Sequence, residues 1–259
     1  MKKSIFAIVC CIAAISCTTE PTGPQVVAHR GHWDAEGSAQ NSLEALRLAG
    51  ELGVYGSEFD VNMTSDGVLV INHDFTFHGI MIDENPYDAI KDSTLANGEV
   101  IPTLEQYLEL GVKYPELQMV LELKSKGDAG YEDRATTQIV ALLKKYDLVE
   151  RTDIISFSLT ACRKFAEQLP GTMVEYLTGD VAPAELKEMG IMGIDYHFSV
   201  FEAHPEWVEE AHSLGMICNA WTVSKEENIN AMLDLGVDFV TTNAPVLATE
   251  LIAERKQAR

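Results

Sequence analysis

Residues 56–74, GSEFDVNMTSDGVLVINHD, stand between residues 26–31, VVAHRG, and residues 121–124, LELK. Each stretch joins an apolar run of strand character to side chains that are costly to bury: His29 and Arg30, Glu58 and Asp60, Glu122 and Lys124. Side chains alternate along a strand, so Glu58 and Asp60 share one face of theirs, as do Glu122 and Lys124.

Outward from these stretches, strand-like runs recur near 26–29, 57–61, 118–123, 153–157, 172–177, 193–197, 216–222 and 238–242. Helical patterns lie between and after them, at Ser42–Leu52, Thr103–Val112, Tyr131–Tyr146, Thr160–Gln168, Pro183–Met189, Pro205–Leu214, Lys225–Leu235 and Pro245–Lys256. Eight strands alternating with helices predict an α/β protein, a (β/α)8 TIM barrel with the helices outside. One piece breaks the alternation: the turn Thr64-Ser65-Asp66-Gly67 leads into Val68–Asn72 before any helix. This predicts a hairpin that folds His73 back over the end of the second strand. Residues 74–101 are then a small insertion at the barrel mouth, where loops set specificity.

Composition permits this fold. With 46% hydrophobic residues in a chain of 259, a sizeable core can form, and neither low complexity nor a short repeat is visible. The formal charge is −21, or −23 once Lys2 and Lys3 are removed, which makes nucleic acid a poor partner. An anionic substrate would be repelled at long range. Screening over about 8 Å leaves the local cations to decide its binding.

In a parallel barrel the chemistry gathers at the C-terminal strand ends, where His29 and the five charged side chains can converge. Three close carboxylates cannot all remain ionised unaided. Either Glu58, Asp60 and Glu122 pair with Arg30 and Lys124, or one divalent cation supplies the counter-charge. Oxygen-only ligands favour Mg²⁺ or Ca²⁺ over zinc. His29 and His73 are the candidates for acid and base, since imidazole exchanges a proton near neutral pH and an alkoxide leaving a phosphate diester needs protonation.

These pieces, in this order, resemble the glycerophosphodiester phosphodiesterase family of the phospholipase-C-like phosphodiesterases. H-R-G at 29–31, E-x-D-x-x-x-T-x-D-G-x-x-V-x-x-H-D at 58–74 and E-x-K at 122–124 carry the resemblance. Weaker agreement continues through GEVIPTL at 98–104, ISFS at 155–158, AWTV at 220–223 and DFVTTNAP at 238–245. The resemblance implies metal-dependent hydrolysis of glycerophosphodiesters to glycerol 3-phosphate and an alcohol. In it Glu58, Asp60 and Glu122 hold the metal, His29 and His73 flank the phosphate, and Arg30 and Lys124 stabilise its developing charge. The neighbouring glycerol hydroxyl can attack first and give a cyclic phosphate that water opens. Trp221 supplies a wall for the glycerol carbons, with core packing as its other reading, and Phe75 and Phe77 are candidates for the leaving-group side.

Three departures from the family pattern stand out: Ala39-Gln40-Asn41-Ser42 where P-E-N-T is usual, Asn243 where an aspartate is usual, and no R-T-T after His73-Asp74. Gln40 and Asn243 each remove a charge. The nearest enzymatic alternative is a phospholipase C-like or lyase activity on the same barrel, and a different class is a lipoprotein that holds a phosphoester without turning it over. Among the remaining histidines, His197 ends the sixth strand and faces the mouth. His32 and His78 lie in loops near it, and His204 and His212 flank or lie on an outer helix.

Residues 1–16 read as a signal peptide, with Lys2 and Lys3 followed by the apolar stretch from Ile5 to Ile15. Ala14-Ile15-Ser16-Cys17 resembles a bacterial lipobox, although Ala14 stands where leucine is usual. The expectation is an exported protein, periplasmic or at the cell surface, lipid-anchored to a bacterial membrane at Cys17. Residues 17–25 then form a spacer and 26–259 the barrel domain. Cys10, Cys11 and Cys17 belong to the leader, so only Cys162 and Cys218 remain and no disulfide framework is indicated.

Overall fold

The computed structural model describes residues 23–258, so the expected signal peptide and Cys17 lie outside the described residues. The described chain runs as β1 (Gln25–Ala28), α1 (Leu43–Leu52), β2 (Gly56–Met63), β3 (Leu69–Ile71), β4 (Thr76–Phe77), β5 (Ile80–Met81), α2 (Leu104–Gly111) and β6 (Gln118–Leu123). It continues as α3 (Ala129–Lys145), β7 (Thr152–Ser156), α4 (Leu159–Gln168), β8 (Val174–Tyr176), α5 (Pro183–Glu188) and β9 (Gly193–His197). Last come α6 (Phe198–Ala203), α7 (Glu206–Ser213), β10 (Ile217–Trp221), α8 (Glu226–Leu235), β11 (Phe239–Thr242) and α9 (Pro245–Gln257).

Eight parallel strands close into a barrel in the order β1, β2, β6, β7, β8, β9, β10, β11, with β1 paired to both β11 and β2. The expected hairpin is present: β3 pairs antiparallel with β2, Asn62 opposite Val70. The insertion has its own β4–β5 hairpin and a small core of Val70, Phe77, Ile82, Ile90 and Ile101. Helix α6 was not expected. It follows β9 without a loop, and its six residues are too few to show a helical period in the sequence.

Apolar residues divide into two sets. The main core packs the outer faces of the strands against the helices, and it includes Phe59, Val61, Leu121, Leu123, Ile194 and Tyr196. The barrel interior keeps only a small apolar plug of Val27, Val120, Ile155, Leu177 and Phe239. Alternation therefore sends Glu58, Asp60, Glu122 and Lys124 inward, because Phe59, Val61, Leu121 and Leu123 face out. Local caps frame the loops around the mouth. Ser42 accepts a hydrogen bond from the Ala45 N–H at the start of α1, and Thr103 forms a capping box with Gln106 at the start of α2.

Two adjacent residues in left-handed backbone turn the chain after β1: Arg30 at φ 57° and Gly31 at φ 78°. Arginine adopts this region at a cost of about 1–3 kcal/mol. The turn aims its backbone N–H at Glu58 Oε2, 2.7 Å away. Gly31 meets α1, where an added Cβ would fall 2.6 Å from the Ala45 Cβ. Gly31→Ala is therefore expected to lower stability by about 2–4 kcal/mol, combining overpacking with left-handed strain. Thermal unfolding checks this, and a melt within a degree of the wild type would refute the close-approach argument.

Candidate active site

The sequence-expected residues converge at the C-terminal mouth of the barrel. Glu58, Asp60 and Glu122 each offer an oxygen within 4.8 Å of the others. Their exposures are 2%, 1% and 7%, so water does little to screen their repulsion. Lys124 Nζ lies 2.7 Å from Glu122 Oε1 and 3.4 Å from Asp60 Oδ1, and Arg30 Nε is 3.6 Å from Asp60 Oδ2. Asn41 clamps Asp60 twice, donating from Nδ2 to Oδ2 at 2.8 Å and accepting the Asp60 backbone N–H at 3.1 Å. Glu58 Oε1 is buried without a hydrogen-bond partner.

These contacts divide the carboxylates. Burial, with the charges of Asp60 and Glu122, pushes Glu58 well above the usual carboxylate range. Burial and Asp60 push Glu122 up to about 7 against the pull of Lys124. Burial also pushes Asp60 upward, but Lys124, His73, Asn41 and Arg30 outweigh it and hold the group below its ordinary value. Fully ionised, three carboxylates against two cations leave the cluster at −1, which would repel a phosphate diester. A divalent ion would bring it to +1. The donor set fits such an ion: all oxygen, mutually close, with an unpartnered oxygen on Glu58.

The histidines approach from two sides. His29 Nδ1–H donates to Asn243 Oδ1 at 2.7 Å, and that oxygen also receives the Trp33 indole N–H at 3.1 Å. The indole has no acceptor, so it identifies the Asn243 atom as the amide oxygen. His29 must then carry its proton on Nδ1 and present an unprotonated Nε2, 3.9 Å from Glu58 Oε2. Burial and the Arg30 charge lower its pKa to about 4, so the ring is neutral at physiological pH. His73, on the loop after β3, pairs through Nδ1 with Asp74 Oδ1 at 2.7 Å.

Both histidines and Arg30 border a deep cavity of about 100 Å³ walled by Ile155, Phe157, Leu177 and Trp221. Arg30 and His73 also border an open groove of about 700 Å³ lined by Trp33, Gln40, Phe77, His78 and Leu95. Gln40 Oε1 accepts from Arg30 Nη1 at 2.6 Å, so this departure from the family pattern still orients the arginine, through a neutral acceptor. Phe77 reaches the groove, whereas Phe75 lies under Lys126, whose Nζ is 5.0 Å from the ring centre.

Other histidines have structural partners. His197 accepts the Ser199 backbone N–H at the start of α6 and packs edge-on against Trp221, with ring centres 5.4 Å apart. His32 sits 3.4 Å from Asp34, His78 bonds the Thr94 carbonyl, His204 stacks on Trp207 and His212 pairs with Asp238. Cys162 and Cys218 are buried free thiols. Sequence reading missed Asp195, Asn41 and Phe157 as parts of the site. Asp195 had a signal available, an acidic residue between apolar neighbours at an inward position of β9.

The raised carboxyls predict a pH-dependent response to metal. Glu122, raised in the fold, contributes stability that is present below its unfolded value of 4.5 and is lost as pH rises through about 7. A bound cation would displace those protons. His29 acts in the opposite sense, losing stability as pH falls from 6.5 towards 4, so the metal-induced change in Tm is the informative readout. Mg²⁺ or Ca²⁺ is expected to raise Tm more at about pH 8 than at about pH 5, and Glu122→Gln should shrink the difference. Scanning calorimetry decides, and equal shifts at both values would contradict metal binding by these carboxylates.

Comparison with known proteins places this geometry. The Glycerophosphoryl diester phosphodiesterase family profile matches residues 29–247. A glycerophosphodiester phosphodiesterase of Caldanaerobacter subterraneus is 30% identical over 244 residues, covering 88% of this chain and 97% of that protein. The crystal structure of a glycerophosphodiester phosphodiesterase from Parabacteroides distasonis superposes with a TM-score of 0.90 at 44% identity, covering 91% of this chain and 99% of the other. A phosphodiesterase of Oleispira antarctica, solved in complex with the product sn-glycerol-3-phosphate, is 27% identical with a TM-score of 0.75, covering 89% and 97%. With its strand-end H-R-G, E-x-D and E-x-K residues gathered at one barrel mouth, this chain belongs to the glycerophosphoryl diester phosphodiesterase family.

Proposed function

We propose that this chain is a glycerophosphodiester phosphodiesterase that needs a divalent cation, Mg²⁺ or Ca²⁺, and releases glycerol 3-phosphate and an alcohol. The observation that carries the reading is the donor set: three buried carboxylates with mutually close oxygens, one of them unpartnered on Glu58, which already match Arg30 and Lys124 and so leave a phosphate in need of added positive charge. Glu58, Asp60 and Glu122 would hold the cation, which when bound would polarise the phosphoryl oxygens. The product carried by the Oleispira relative fits the same chemistry.

The residues of the chain supply the proton transfers. Arg30 and Lys124 steady the negative charge that grows on the phosphoryl oxygens. His29, neutral with a free Nε2, takes the proton from the attacking hydroxyl of water, or from that of the neighbouring glycerol carbon, in which case the alcohol leaves behind a cyclic phosphate and a water molecule then opens it to glycerol 3-phosphate. His73 then gives a proton to the departing alcohol oxygen, the role left once His29 is the base. Asn243 and Trp33 keep His29 in the tautomer its role requires, and Asp74 orients His73. Trp221 walls the deep cavity, and the open groove receives the alcohol.

Chelation is expected to abolish turnover of glycerophosphocholine, with Mg²⁺ or Ca²⁺ restoring it, and full activity in a metal-free preparation would end the metal reading. His29→Ala and His73→Ala should each lose about 10²- to 10⁴-fold in kcat. Their losses should not multiply in the double variant. A 4-nitrophenyl diester, whose leaving group needs little protonation, should partly rescue His73→Ala but not His29→Ala. The reverse pattern would exchange the two roles.

We also propose that the protein is exported and tethered to a bacterial membrane by a lipid on Cys17. The leader and lipobox-like Ala14–Cys17 support this, and a single anchor is helped by further contacts. Mass spectrometry of the mature N-terminus is expected to find acylated Cys17. A free, unmodified N-terminus at another position would mean plain secretion.

A further inference from the structure

Of the buried barrel acids that have no part in the proposed proton transfers or cation binding, Asp153, Glu175 and Asp195, only Asp195 lines the deep cavity. Ile194 and Tyr196 belong to the outer core, so Asp195 between them points inward. It is 1% exposed and lines the deep cavity, and neither carboxyl oxygen has a hydrogen-bond partner. Its strand β9 stands opposite β2 in the ring of eight, placing Asp195 across the barrel from Glu58 and outside the group of three carboxylates. Asp195 pairs in register with Asn219, one inward position below Trp221.

Buried polar groups are normally satisfied, and for an unsatisfied carboxyl that lines a cavity a hydroxyl-bearing ligand supplies the missing partner. Burial, then the nearby Glu122 charge, pushes the Asp195 carboxyl well above its usual range. A neutral acid donates one hydrogen bond and accepts others, the complement of a hydroxyl group. Around it the cavity is apolar on Ile155, Phe157, Leu177 and Trp221. The Trp221 indole N–H donates to the Asp195 carbonyl at 2.8 Å, which ties this wall to the acid. About 100 Å³ with a carbon-facing wall and, away from the charged mouth, the polar side chains of Asp195, Thr222 and Thr241 suits a short polyol, while the open groove of about 700 Å³ has room for a larger alcohol.

We propose that Asp195 is a specificity-determining residue that hydrogen-bonds a hydroxyl of the glycerol moiety at the floor of the deep cavity, leaving the departing alcohol in the open groove. This rests on the phosphodiesterase reading. The substrate thereby has one orientation: glycerol inward, phosphate at the strand ends, head group outward.

Calorimetric titration with glycerol 3-phosphate, inorganic phosphate and ethyl phosphate, in the presence of Mg²⁺, tests it without turnover. The wild type is expected to bind glycerol 3-phosphate most tightly. Asp195→Leu should lose roughly 10- to 100-fold in that affinity, leave inorganic phosphate unchanged and no longer distinguish glycerol 3-phosphate from ethyl phosphate. Asp195→Asn, which still donates and accepts, should retain most of the preference. A parallel fall for glycerol 3-phosphate and inorganic phosphate, or no fall in Asp195→Leu, overturns the proposal. Should that variant fail to fold, wild-type protein that binds ethyl phosphate as tightly as glycerol 3-phosphate overturns it equally. Turnover of glycerophosphocholine is measured alongside: its absence in a wild type that keeps the glycerol preference would overturn the enzymatic reading and leave the glycerol site standing.

Discussion

Glu58, Asp60 and Glu122 bring their oxygens within 4.8 Å of one another inside a barrel, where less than a tenth of each residue meets solvent. Such repulsion is strong because the surroundings polarise weakly, and the rest of the mouth is arranged around relieving it. Lys124 spans Glu122 and Asp60, Arg30 turns through a left-handed backbone to bring its N–H to Glu58, and Asn41 holds Asp60 from both sides. The relief is partial. Glu58 and Glu122 remain displaced toward their protonated forms, a state suited to exchanging protons for a cation.

The same constraint explains why the barrel divides its hydrophobic material as it does. An acidic interior cannot be the main source of cohesion, so the apolar area lies between the strands and the outer helices, where Phe59, Leu121, Ile194 and Tyr196 pack. Inside, a small plug formed by Val27, Val120, Ile155, Leu177 and Phe239 separates the mouth from the base, where Asp153 is held by Tyr55 and Gln118. A closed ring of strands leaves no free edge within the barrel, so the polar interior is built without exposing backbone groups.

Neutral amides stand behind Arg30 and His29 as well as Asp60. Gln40 supports Arg30, and Asn243 supports His29. Each orients its partner without adding negative charge to a cluster that already has too much. For His29 the consequence is chemical: the amide oxygen fixes the Nδ1 proton, and burial with the Arg30 charge outweighs the upward pull of that hydrogen bond on the ring's pKa, so Nε2 stays available as a base.

By itself the sequence determined the eight-strand alternation, the hairpin that returns His73 and the pairing of Glu58 with Asp60 and Glu122 with Lys124 on inward faces. These are local properties, set by a period of two and by the cost of burying charge. Helix α6 was not legible, since six residues directly after a strand carry no period. Tertiary structure alone decided what faces what across the closed sheet. Asn243 reaches His29 over 214 positions of chain, and Asp195, on the strand opposite β2, faces a cavity and has no hydrogen-bond partner. A strand's own residues specify which side chains point inward, whereas the partners they meet there depend on the closure and register of the whole barrel.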